Sequence, residues 1–152
     1  SPRTHPEPLA ELCNELGYEP CTFTATDAAG VPIYHTNVML AVGSRCCVVG
    51  ASAIDARDRE RVLSSLAAAG RHVEIIDALQ MAGFAGNVLE LRAADSGSVL
   101  ALSATAHAAF GPAAMERLAS TVNRIVVAPI PTIETLGGGS VRCMLAEVFL
   151  PY

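Results

Sequence analysis

Val62-Leu63-Ser64-Ser65-Leu66-Ala67-Ala68-Ala69-Gly70-Arg71-His72-Val73-Glu74-Ile75-Ile76 is the stretch whose reading decides the fold. Val62, Leu63, Leu66 and Ala69 recur at helical spacing, so a helix over 55–69 offers one apolar face to a core. Gly70 supplies the left-handed stop on which such helices end. The apolar run at 73–76 then reads as a strand.

The same order appears on either side. Helical spacing covers 8–16 and 112–122, and the stops at Gly17, Gly70 and Asn123 lie 53 residues apart in each interval. Strand-like runs follow the stops at 21–25, 73–76 and 125–128. After a turn-rich stretch come second runs at 37–42, 87–91 and 141–150, and third runs at Cys46–Val49 and 99–102. The expected architecture is α/β (α+β), built from strand-strand-strand-helix units of about 53 residues, each needing neighbours to bury its apolar face. One partial domain over 1–152 would hold about three units, at 1–54, 55–110 and 111–152. Because an open array of this kind leaves sheet edges bare, further units are expected from a missing N-terminal segment, a second chain or a symmetry mate. A small α/β domain with coincidental spacing is the alternative.

Composition narrows the function classes. Apolar residues make up 51% of the chain and charged residues 16%, which argues against disorder. Arg45, Glu90 and Arg92 break the longest apolar stretches, so no run reaches the ~20 residues of a membrane helix. No apolar leader follows Ser1, and the expectation is a soluble cytoplasmic protein without membrane partners. Net charge is −5 and all ten basic residues are arginine, with no basic run, which speaks against nucleic acid. The five cysteines show no CxxC or metal spacing, so they are expected to be free thiols. Cys46 and Cys47, in an apolar run, read as buried strand residues.

His35 and Cys143 are 108 residues apart, close to two periods. Each lies at or beside the second strand of its unit, so an arrangement about an axis brings them to the same end. Such a neighbour helps a cysteine become a reactive thiolate. Gly137-Gly138-Gly139-Ser140 before Cys143 lets a ligand approach the main chain closely, where peptide N–H groups could meet developing charge. A glycine loop leading into a core strand with a buried cysteine is the other reading of these residues. Arg142, by strand alternation, points away from Cys143. Asn37 and Asn87 occupy matching places in two units, either lining the axis or satisfying backbone at strand starts. Glu134 and Glu147 fit a site rim or exposed strand ends equally well. Thr36 and Ser140 are candidates by adjacency. His5, His72 and His107 read as surface or structural residues, and no pair has metal-site spacing; neither metal nor cofactor is expected.

The segments Pro32-Ile33-Tyr34-His35-Thr36-Asn37-Val38-Met39-Leu40, Phe84-Ala85-Gly86-Asn87-Val88-Leu89-Glu90-Leu91 and Gly137-Gly138-Gly139-Ser140-Val141-Arg142-Cys143-Met144-Leu145-Ala146-Glu147 resemble the guanidino-group-modifying enzymes. These include arginine deiminases, dimethylarginine dimethylaminohydrolases and amidinotransferases, and the likeness is greatest to deiminase-related citrulline-utilisation hydrolases. The resemblance implies the C-terminal part of a five-bladed α/β propeller, the pentein fold, with the site on its axis. It implies Cys143 as nucleophile and His35 as general acid and base, with Gly138, Gly139, Ser140, Asn37 and Asn87 about the substrate. The acidic groups that grip a guanidinium come largely from the family's N-terminal half, and a further substrate-binding aspartate of some deiminases falls at Cys46 here. The expected function is hydrolysis or deimination of guanidino or ureido C–N bonds, as in arginine, citrulline or a relative. The alternative is a catalytically silent pentein module for binding or assembly, inactive without the N-terminal half.

Overall fold

A computed structural model describes residues 3–94 and 97–148. The first helix, α1 (Pro6–Leu16), starts on Pro6 and stops at Gly17 in the left-handed conformation (φ 70°). The strand expected over 21–25 is not formed. Only isolated bridges join Ala25 to Ile54 and Thr26 to Pro32. The Asp27 carboxylate takes the Ala29 and Val31 N–H groups and closes a turn there instead.

Two sheets of three strands follow, with the same topology. β1 (Leu40–Val42) runs antiparallel to β2 (Cys46–Val49), and β2 runs parallel to β3 (His72–Ile75) after the crossover helix α2 (Ala56–Ala67). After the short helix α3 (Ala78–Ala82), β4 (Leu89–Arg92) pairs antiparallel with β5 (Ser98–Ser103). The helix α4 (Ala104–Ala119) then crosses to β6 (Arg124–Ala128), parallel to β5. Equivalent positions are 49 residues apart from Leu40 to Leu89 and 52 from His72 to Arg124. Each sheet thus takes its third strand from beyond the helix, so the chain order of a unit is strand, strand, helix, strand. Parallel pairing requires such a crossover.

Three elements differ from expectation. α4 begins at Ala104, eight residues before the helix expected at 112, because the small-residue stretch after β5 is alanine-rich and Ser103 caps it by accepting from Ala106 N. Gly111 (φ 70°) and Pro112 kink it. α3, and α5 (Pro131–Gly137), occupy stretches that read as turns. α3 is fixed by a capping box between Asp77 and Gln80.

β2 is buried along its whole length, with the core on both sides. Cys46 and Val48 face the larger cluster, shared with Leu100 and Leu102 of β5 and Phe110, Met115 and Leu118 of α4. Val49 faces the smaller cluster, with Val62 of α2, Ile54 and Met39. This two-sided burial is why Cys46–Val49 is uniformly apolar rather than alternating. α4 therefore packs between the two sheets, and they share one core.

Candidate active site

Cys143 lies in a single 3-10 turn, Val141–Met144, and not in the strand expected over 141–150; positions 149–150 are outside the described residues. Cys143 N donates to Ser140 O at 3.0 Å, which coils the backbone. Both shoulders of the turn are pinned. On one side the Ser140 hydroxyl, fully buried, donates to Glu134 Oε1 at 2.7 Å. On the other, Arg142 Nη1 donates to Leu40 O at 2.8 Å.

The sulfur faces a cavity of about 480 Å³ that His35, Asn37, Asn87, Gly138 and Gly139 also line. Asn87 Nδ2 donates to Cys143 Sγ at 3.1 Å and Asn37 Nδ2 at 3.5 Å. Asn87 Nδ2 also donates to the Asn37 carbonyl at 3.2 Å, which fixes the orientation of the amide. Asn37 N in turn donates to His35 Nδ1 at 3.4 Å, so a neutral His35 carries its proton on Nε2. The chain has brought a thiol, an imidazole and two amides together from three sequence regions. Both asparagines meet the sulfur, and the strand-start alternative covers only the second bond of Asn87.

Local geometry explains how these residues meet. Asn37 sits in a 3-10 turn, Thr36–Val38, directly before β1, and Asn87 directly before β4. The turn before Asn87 holds Phe84 at φ 63°, a conformation that bulky residues seldom adopt and that is tolerated where surrounding contacts enforce it. A Cβ on Gly86 would collide with Val38 O and lie 2.9 Å from Met39 Cα. Glycine there lets the second loop press against the first. Gly138 stops α5 in the left-handed conformation (φ 67°), and a Cβ on Gly139 would stand 3.1 Å from Cys143 Sγ.

Ser140 does not line the cavity; its hydroxyl is committed to Glu134. Glu134 is no exposed strand end, since it is buried on α5 and takes Thr105 Oγ1 at 2.6 Å as well as Ser140. Burial works to raise its pKa, but hydroxyls from Ser103, Thr105 and Ser140 outweigh it and hold the carboxyl below the ordinary range. The sequence offered Glu134 only as a rim or strand-end residue, and no local signal pointed to its bond with Ser140. Glu147, His5, Thr36 and His107 are exposed. His72 Nε2 is bonded to Glu74 at 2.8 Å. Cys46 and Cys47 are buried in β2, and burial pushes both thiols up, away from reactivity. A second depression, about 370 Å³ beside Ser44, Glu90 and Arg92, holds no nucleophilic cysteine.

The family model described as N,N dimethylarginine dimethylhydrolase, eukaryotic, matches residues 1–150. No curated protein matches the chain. Among solved structures the chain is similar to apo ArgZ, described as an arginine dihydrolase from the ornithine-ammonia cycle in cyanobacteria. The TM-score is 0.69 at 15% identity, over 93% of this chain and 20% of that one. It is also similar to the product-bound N-terminal domain of ArgZ, with TM-score 0.64, 18% identity, and coverage of 93% and 46%. These likenesses show a shared mixed α/β fold with small sheets. The chain spans under half the length of either match.

Proposed function

The chain belongs to the N,N dimethylarginine dimethylhydrolase family, within the guanidino-modifying superfamily, and from that premise we propose that it carries the nucleophile of a cysteine-dependent hydrolase of guanidino or ureido C–N bonds. The observation that supports this most directly is Cys143 Sγ receiving the Asn37 and Asn87 amides in the cavity that His35 lines. Two N–H donors converge on one sulfur beside an imidazole, the arrangement a cysteine nucleophile uses.

In the proposed reaction the Cys143 thiolate attacks the central carbon, forming a C–S bond while the C=N electron pair moves to nitrogen. The tetrahedral adduct collapses as the scissile C–N bond breaks, and the leaving amine takes its proton from His35. His35, now neutral, accepts a proton from water. The resulting hydroxide adds to the same carbon, and C–S cleavage returns the thiolate. Gly139 keeps the main chain close to the sulfur, and Gly138 lines the same cavity, where the substrate's planar head would lie. The two sheets would serve as two units of a five-bladed propeller, with the remaining units supplied by further chain. Arginine, citrulline or a relative is the proposed substrate, and the cytoplasm the proposed location.

One observation favours the silent-module reading: among the described residues, no Asp or Glu lines the cavity to grip a guanidinium cation. A haloacetamidine separates the two. On the enzyme reading it alkylates Cys143 faster than neutral iodoacetamide does, and His35→Ala slows that reaction. Equal rates for both reagents and no effect of His35→Ala would sink the enzyme reading.

A further inference from the structure

We propose that Glu134 is the positioning residue of the Cys143 turn: its buried carboxylate, acting through Ser140, holds the sulfur under the Asn37 and Asn87 amides. This rests on reading Cys143 as the nucleophile, but it concerns a residue outside the cavity.

The geometry has three parts. Glu134 is 7% exposed, and its two oxygens take different elements: Oε2 takes the Thr105 hydroxyl in the first turn of α4, and Oε1 takes the Ser140 hydroxyl. Ser103, fully buried at the end of β5, caps α4 with its hydroxyl oxygen one residue before that turn begins. The carboxylate thus ties the start of α4 to the residue that opens the cysteine turn. Ser140 O then accepts Cys143 N at 3.0 Å, and Glu134 O accepts Gly138 N at 3.2 Å, so both ends of the Gly138–Gly139–Ser140 segment are held by Glu134 or by the serine it binds. A buried carboxylate costs free energy unless its lone pairs are met. Here two hydroxyls meet them, one on each oxygen, and one of those hydroxyls opens the turn that carries the nucleophile. Without that bond the turn is held on one shoulder only, by Arg142 on Leu40 O. Gly139, already within 3.1 Å of the sulfur at its would-be Cβ, would then be free to drift against it.

The test uses neutral iodoacetamide, with modification followed site by site by mass spectrometry, and the exposed Cys21 as reference inside the same molecule. Glu134→Gln and Ser140→Ala are each expected to slow Cys143 about tenfold relative to Cys21, as small displacements from a productive geometry do. Because both act through one bond, the double variant should be no slower than the slower single. A purely structural role would lower Tm and leave the Cys143-to-Cys21 ratio unchanged, which overturns the proposal. Multiplicative slowing in the double variant overturns it too. Should Glu134→Gln fail to fold, Ser140→Ala alone decides by the same ratio. The haloacetamidine preference of the unaltered chain tests the enzyme reading separately, so either idea can fail without the other.

Discussion

At the scale of single residues, the three glycines before Cys143 are there for different reasons. Gly137 ends α5, and a Cβ on it would meet only Ile133 at 3.9 Å, ordinary contact. Gly138 holds a left-handed stop, and Gly139 leaves room for the sulfur. Gly139→Ala places a methyl 3.1 Å from Sγ and must displace either the sulfur or its own backbone. It is therefore expected to slow Cys143 alkylation about tenfold, while Gly137→Ala stays within about twofold of the unaltered chain. Stopped-flow or mass-spectrometric rates on the two variants check this; equal effects would mean that the glycines serve as a loose loop rather than as two specific clearances. The same contrast separates the thiols. Cys46 and Cys47 are as apolar in setting as their run suggested, whereas Cys143 has amide donors that no sequence neighbour supplies.

At the scale of elements, the site is made where two turns press together. Gly86 sits against Val38 and Met39, and the contact delivers Asn87 to both the Asn37 carbonyl and the sulfur. Gly86→Ala puts a methyl into backbone atoms that have no rotamer to escape by. Such overpacking is expected to cost about 1–3 kcal/mol of stability, seen as a lower urea midpoint, and to slow Cys143 as Asn87 is pushed off. Lost stability with unchanged Cys143 reactivity would show that Asn87 does not depend on that approach. α1, α2 and the inner strands were legible because periodicity and glycine stops are local signals, whereas only the second half of α4 was read, and Asn123 does not take the left-handed stop expected of it. α3 and α5 were not legible, since five and seven residues carry too little period to read. The run at 141–148 is apolar enough for a strand, but Ser140 and Arg142 are drawn to Glu134 and Leu40, and those long-range bonds bend it into a turn.

Across the whole molecule, the two sheets repeat one topology, which places Asn37 and Asn87 at matching turns 50 residues apart, while Cys143 joins them from a turn outside both sheets. Their matching turns then open on the same cavity. What spacing could not give was the tie between the sheets. Glu74 on β3 is buried and takes both Arg117 of α4, at 2.7 and 2.9 Å, and His72. Burial opposes its charge, but the Arg117 and His72 bonds prevail and hold the carboxyl below the ordinary glutamate range. A carboxyl depressed on folding contributes stability that is complete above its unfolded pKa, near 4.5, and is lost as pH falls through the folded value. Arg117→Ala leaves a buried charge with one partner fewer and should lower stability at pH 7. That gap should close as the pH is lowered below the carboxylate range, because protonated Glu74 gains little from Arg117. Urea unfolding of both chains at pH 7 and at about pH 3 reads the difference directly. A gap that stays constant with pH would assign the cost to the packed stem of Arg117 instead, and the ion cluster would then have no part in joining α4 to the first sheet.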